Sequence, residues 1–217
     1  MKSLDINKAY IRGTVAQEPT FSHAAYGEDL FDTVIEVPRL SQHSDMLPLT
    51  LSARQMQALK IEAGSKLAIE GQFRSYNKYE EGKSRLILTL FARDIFDASN
   101  FVCQNPNQIE LSGYICKPTI FRVTPFNREI ADMILASRRA FDKTDYIPCI
   151  AWGSCARQVG ELAVGERIRI FGRIQSRNYN KTLPNGESET RTAYEVSVNR
   201  LDSDFEQGYY AAADIQE

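Results

Sequence analysis

The stretch GERIRIFGRIQSRNY at residues 165–179 nearly rewrites GSKLAIEGQFRSYNKY at residues 64–79, and the likeness continues outward at an offset near 100 residues. IRGTVAQEPTF (11–21) aligns with LSGYICKPTIF (111–121), TVIEVPRL (33–40) with MILASRRA (133–140), and SARQMQAL (52–59) with CARQVGEL (155–162). A unit of about 95 residues is too long for a solenoid, whose period runs about 20 to 50 residues. A chain of 217 residues built this way is expected to hold two small domains.

Each unit reads as short strands around one short helix. In the second, IELSGYI alternates so that Ile109, Leu111, Gly113 and Ile115 share one side, and ADMILASR and DYIPCIAW follow as strands. The helix comes next, then the strands ERIRIFGRIQSRNY and ETRTAYEVSVNRL. In the first unit Ser52, three residues before Gln55, forms a capping box ahead of Met56 and Leu59. Gly64 is expected to end that helix, as Gly165 ends its counterpart.

Five strands with one short helix between strands 3 and 4 describe an all-β chain of two tandem OB-folds. These are five-stranded Greek-key barrels that bind oligonucleotides or oligosaccharides across one face. The expected segments are a first, divergent OB-fold at 1–98, a second at 107–202, and a short acidic tail at 203–217. ASNFVCQNPNQ (98–108) reads as a linker, and KTLPNGESE (181–189) as a turn-rich loop joining the last two strands.

Charge is distributed unevenly within a net −2: residues 1–106 carry 12 Lys+Arg against 13 Asp+Glu, residues 107–202 carry 14 against 11, and residues 203–217 carry 0 against 4. A weakly basic second half before an acidic end fits a polyanion-binding domain. Cys103, Cys116, Cys149 and Cys155 lack CxxC spacing, so they read as small core or surface residues, and neither zinc nor any cofactor is expected. The start MKSLDINKAY has no apolar signal-peptide core, and no run approaches the about 18 apolar residues of a membrane span. A reduced, cytoplasmic, nucleoid-associated protein is the expectation, with no membrane contact.

Side chains alternate along a strand, so parity separates a barrel's core from its outside. Ile168, Ile170, Gly172 and Ile174 share the inward parity, leaving Arg169, Phe171, Arg173, Gln175, Arg177 and Tyr179 outside. On the strand before the helix, Ile147, Cys149 and Ala151 point inward, while Tyr146, Ile150 and Trp152 point out. Aromatics among arginines suit unpaired nucleic acid: each stacked base contributes about 1 to 3 kcal/mol, and guanidiniums pair with phosphates. The plainer alternative packs Trp152 between the barrels and leaves the arginines as a solvated face.

The first unit is weaker at the same parity: Ala68, Glu70 and Gln72 replace Arg169, Phe171 and Arg173. Its remaining candidates are Arg74, Tyr76, Lys78 and Tyr79, and its surplus apolar surface is expected to serve assembly. An enzyme is not expected. His23 and His43 lie in loop-like stretches, Glu187 and Glu189 in a turn-rich loop, and neither a phosphate-cradling glycine loop nor a nucleophile beside a base is present. An oligosaccharide module ranks below nucleic acid because it would pair its aromatics with acids or amides rather than arginines.

The segments NQIELSGYICKP, FRVTPFNREIADMILASRR, DYIPCIAWGSCA and GERIRIFGRIQSRNY are similar to the bacterial single-stranded DNA-binding protein family, over about residues 107–201. The resemblance implies sequence-tolerant binding of single-stranded DNA wrapped over four OB-folds, in replication, recombination or repair. Tyr146 matches the family's aromatic before the buried CIA strand, Trp152 the aromatic preceding a glycine, here Gly153, and Tyr179 the aromatic closing GRIQSRNY. Arg122, and Arg138 or Arg139, fall where the family places basic residues along the DNA path.

Two OB-folds in one chain imply a homodimer if four are needed. The end DSDFEQGYYAAADIQE is acidic but lacks the family's apolar tip, through which repair and replication enzymes are recruited. The alternative function is an OB-fold protein-interaction adaptor of a replication or mobile-element complex.

Overall fold

The computed structural model describes residues 4–25, 27–39, 41, 43–80, 82–99, 105–182 and 186–202. The expected acidic tail, Cys103, part of the linker and Pro184 and Asn185 of the turn-rich loop lie outside them. The first unit runs β1 (Asn7–Val15), β2 (Thr20–Ala25), β3 (Glu28–Pro38), β4 (Ser44–Ser52), α1 (Ala53–Leu59), β5 (Lys66–Glu80) and β6 (Lys83–Asp97). The second repeats it as β7 (Asn107–Ile115), β8 (Ile120–Val123), β9 (Glu129–Arg139), β10 (Lys143–Trp152), α2 (Ser154–Glu161), β11 (Arg167–Thr182) and β12 (Ser188–Asp202).

The ladder order β2-β3-β4-β6-β5-β1-β7-β11-β12-β10-β9-β8 is a palindrome centred on the antiparallel β1–β7 pair. The extra pairings β3–β1 and β7–β9 close each half into an OB barrel. At the seam Ala9 faces Ile109, both buried, so the apolar interior runs from one barrel into the other. Among the described residues no helix is long and apolar enough to cross a membrane.

Alternation fixes the interior as expected: Ile168, Ile170 and Ile174 are fully buried, as are Ile147 and Ala151. The capping box forms, with Ser52 Oγ accepting from Gln55 N (3.3 Å) and Gln55 Oε1 accepting from Ser52 N (2.9 Å).

Three expectations need correction. Strands β2 and β8 were not anticipated, so in chain order the helix follows a fourth strand; β8 (IFRV) is exposed throughout at a sheet edge, and an edge strand without a buried face shows no alternation. Gly64 does not end α1; Lys60 does, in a left-handed conformation (φ 49°). Gly64 and Gly165 instead shape the turns before β5 and β11, donating their N–H to Val15 O and Ile115 O, both at 2.8 Å.

The barrels also exchange hydrogen bonds across the pseudo-dyad. Asp45 Oδ1 accepts from Ser176 N at 2.7 Å, and Ser176 Oγ accepts from Met46 N at 3.0 Å. Reciprocally, Asp145 Oδ1 accepts from Ser75 N at 2.9 Å, and Ser75 Oγ accepts from Tyr146 N at 2.7 Å. Both carboxylates are buried, where a hydrogen bond to a charged group contributes about 1.5 to 3 kcal/mol. The start of each barrel's fourth strand is thereby locked onto the long hairpin of the other.

Candidate nucleic-acid interface

The expected row along β11 is cut in two by the ladder. Residues 167–172 pair with β7, whereas Arg169–Thr182 pair with β12, and the register slips between Phe171 and Gly172. The strand bends here because the backbones approach closely: a Cβ on Gly172 would meet Ser197 O at 2.2 Å. Arg169 and Phe171 are left on the seam side. Arg169, only 15% exposed in its side chain, pairs with Glu110 at 2.5 Å, and Arg200 lies 3.7 Å from the centre of the Phe171 ring.

Arg173, just past the bend, is turned toward the first barrel, with Nη1 3.2 Å from Asp45 Oδ2 and Nη2 3.0 Å from Gln175 Oε1. Burial, then repulsion from Arg39, lowers its pKa, and Asp45 partly offsets this. Gln175 and Ile150, outward by parity, are also buried. The open stripe expected from Arg169, Phe171 and Arg173 is therefore overturned, because acids and neighbours from distant segments cover it.

What stays open is a track of rings. Tyr146 is 47% exposed, Trp152 38% and Tyr179 38%. Tyr146 and Trp152 sit six residues apart on β10, about 20 Å along the strand. Tyr179 lies opposite Arg191, about as far along β12 from Ser197, whose Oγ accepts the Trp152 indole N–H at 3.1 Å. The three rings are strung out rather than clustered, a spacing suited to an extended strand.

Trp152 also lines a depression of about 500 Å³ with Val123, Asn127, Arg128, Gly153 and Arg157. Arg128 and Arg157 escaped the sequence reading, since only the fold carries the β8–β9 turn and the start of α2 to Trp152. Arg157 is anchored on Glu129.

The remaining predicted cations separate by their partners. Arg177 is 57% exposed and lies 3.6 Å from Glu195, while Arg122 contacts Asp132 at 2.8 Å in the open. The Arg122–Asp132 pair, exposed on both sides, contributes about 0 to 1 kcal/mol, so a phosphate can displace its carboxylate, whereas Arg177 extends into solvent from beside the buried Glu195. Arg138 instead donates to Tyr114 Oη at 2.9 Å and takes part in the buried Asp5 cluster, and Arg139 lies 3.1 Å from buried Asp145. The carboxylates of these pairs are buried and are destabilising if left without their cations, which makes Arg138, Arg139 and Arg173 structural clamps first.

In the first barrel, Arg74 lies 3.7 Å from the centre of the Phe91 ring, and Tyr76, Lys78 and Tyr79 are exposed. Burial, then the charge of Asp32, raises the Tyr76 phenol, with Lys78 opposing. Among the described residues no three His, Cys, Asp or Glu side chains are grouped as metal ligands would be.

Residues 106–204 match the family described as the single-strand binding protein family. Single-stranded DNA-binding protein 1 of Streptococcus pyogenes serotype M18 is 35% identical over 80 residues, covering 34% of this chain and 62% of that protein. The chain thus spans 62% of the length of this curated relative. The wild-type single-stranded DNA binding protein of Thermus aquaticus superposes with a TM-score of 0.63 at 20% identity, over 96% of this chain and 98% of that one. A deletion mutant of the same Thermus protein gives 0.67 at 19%, over 95% and 98%. At that identity the likeness is one of fold: both barrels align in a single superposition.

Proposed function

We propose that this chain, whose residues 106–204 match the single-strand binding protein family, binds single-stranded DNA, without catalysis and with little regard to sequence. Bases stack on Trp152, Tyr146 and Tyr179, while Arg177, Arg122 and the exposed Arg128 meet phosphates. The observation that carries this reading is the row of three exposed rings along the second barrel, with exposed arginines beside two of them. Replication, recombination or repair in the cytoplasm, at the nucleoid, is the setting we propose from the family match over residues 106–204.

A homodimer would bring four OB-folds together. Exposed Tyr10 and Phe96, on the outer side near the seam, supply apolar area for the contact. Light scattering should then return twice the mass of the chain.

The test is Trp152 fluorescence during titration with oligo-dT at two salt concentrations. Quenching should saturate, and log affinity should fall against log salt with a slope of about −0.7 per phosphate contact. A folded protein whose tryptophan is unaffected at low salt would overturn the reading. The alternative, a protein-binding adaptor, draws on the exposed apolar edge of Ile120, Val123 and Phe126. It would be favoured by DNA-independent recovery of a replication or recombination protein, lost on substituting Val123 or Phe126.

A further inference from the structure

Glu195 is the one carboxylate on β12 between Arg191 and Asn199, and alternation turns it outward, since its neighbour Val196 lies in the core. It stands at the middle of the ring track. Ser197, two residues along the strand, accepts the Trp152 indole N–H at 3.1 Å, and Arg191, four residues the other way, lies opposite Tyr179. Thr89 holds the equivalent post in the first barrel, as the matching registers Leu49–Leu90 and Cys149–Val196 fix, so this charge belongs to the second barrel alone.

Phosphates repel a carboxylate, yet this one is held firmly in a face that meets them. Arg173, with Nη1 3.2 Å from Asp45 Oδ2, donates through Nη2 to Gln175 Oε1 at 3.0 Å. That contact fixes the orientation of the Gln175 amide, whose Nε2 donates to Glu195 Oε1 at 2.7 Å. One carboxylate oxygen is thereby occupied. Among the described residues no hydrogen bond reaches the other, Oε2, and unlike Asp145 Oδ2 it keeps contact with solvent, although Glu195 as a whole is only 7% exposed. A fixed, charged acceptor is left open at the floor of the track.

We infer that Glu195 Oε2 reads the exocyclic amine of one base, so that the second barrel favours an amine-bearing base over thymine at the place between Trp152 and Tyr179. A glutamate accepts well from the N4 amine of cytosine. Thymine has no amine: its single N3–H lies between two carbonyl oxygens, whose lone pairs face the carboxylate. Because the acceptor is charged, its hydrogen bond is about twice as strong as one between neutral groups. Stacking on the three rings stays indifferent to sequence, and the preference is confined to one place in the bound strand. The inference rests on the single-strand reading above.

The test compares oligo-dC, oligo-dT and an oligomer of 2-pyrimidinone deoxynucleotides, cytosine without its amine, each of about 16 nucleotides, the most that one OB-fold covers. Affinities for the full chain are read by anisotropy. In the parent, loss of the amine should weaken binding about fivefold to tenfold, and in Glu195→Gln by under about twofold. The ratio of oligo-dC to oligo-dT affinity should fall about tenfold in Glu195→Gln, a comparison in which differences of stacking and strand flexibility cancel. Glu195→Thr, which installs the first barrel's residue, should give the same fall. A ratio unchanged in both variants, or a parent that binds the 2-pyrimidinone oligomer as tightly as oligo-dC, would overturn the amine reading and leave strand binding standing. A folded parent that binds none of the three would instead overturn the single-strand reading.

Discussion

Asp45 and Asp145 stand one hundred residues apart in the sequence and hold the same post in the fold, each accepting the backbone N–H of a serine on the other barrel's long hairpin, Ser176 at 2.7 Å and Ser75 at 2.9 Å. Their cations differ. Asp45 is gripped by Arg39, at 2.5 and 2.8 Å, and by Arg173 at 3.2 Å, whereas Asp145 has Arg139 at 3.1 Å. Asp45 is thus held directly by two guanidiniums, whereas Asp145 has one in contact and feels the charge of Arg74 besides.

Asp45→Ala should therefore be among the most destabilising single changes in the chain. It leaves Arg39 and Arg173 without their buried anion and Ser176 without its acceptor, a loss of about 3 to 5 kcal/mol. Urea unfolding should show a lowered midpoint. A midpoint unchanged from the parent would mean that the seam strands β1 and β7 alone hold the barrels together.

The other carboxylate predicts a pH dependence. Burial raises the Asp145 pKa above its ordinary 3.8, with the Ser75 N–H and then Arg139 opposing. A raised folded-state value means that the stability this group contributes is fully present below 3.8 and is lost as pH climbs through the raised value. Asp145→Asn, which keeps an acceptor for Ser75 and cannot ionise, avoids that loss. Stability of the variant relative to the parent should rise across this window and level off above it in urea titrations from acid to neutral pH. A flat or falling difference would contradict the sign.

The barrel interiors were legible in the sequence because alternation is local: Ile168, Ile170 and Ile174 announce a buried face within one strand. The neutralisation of the arginines was not. Arg173 and its partner Asp45 are separated by 128 residues, and Asp5 meets Arg167 across 162. Nothing in a strand's own pattern marks which of its arginines a distant carboxylate will claim. Edge strand β8 left no alternation to read, since both its faces are exposed.

Arg173 and Arg177 share an outward parity and should behave oppositely. Arg173→Gln should lower stability by about 1 to 2 kcal/mol, through the lost bond to buried Asp45, and scarcely change affinity for oligo-dT. Arg177→Gln should leave stability unchanged, weaken binding, and reduce the salt slope by about 0.7. Unfolding curves together with anisotropy titrations at several salt concentrations separate the two. Equal losses of affinity would restore the single open stripe that parity alone implies.

Glu195 sits among the groups meant to meet the strand. Its carboxylate is buried, accepts from Gln175 at 2.7 Å and stands 3.6 Å from Arg177, so an approaching phosphate must compete with it for that guanidinium. Glu195→Gln retains an amide oxygen for Gln175 and removes the charge. Affinity for oligo-dT should rise by about threefold to tenfold, with a salt slope steeper by about 0.7 as Arg177 becomes a full phosphate contact. Trp152 quenching reads the change directly, because the indole hydrogen-bonds Ser197, two residues from Glu195 on β12. If Glu195→Gln weakened binding instead, the carboxylate would be holding Arg177 in its productive pose, and the charge on this face would favour the complex rather than oppose it.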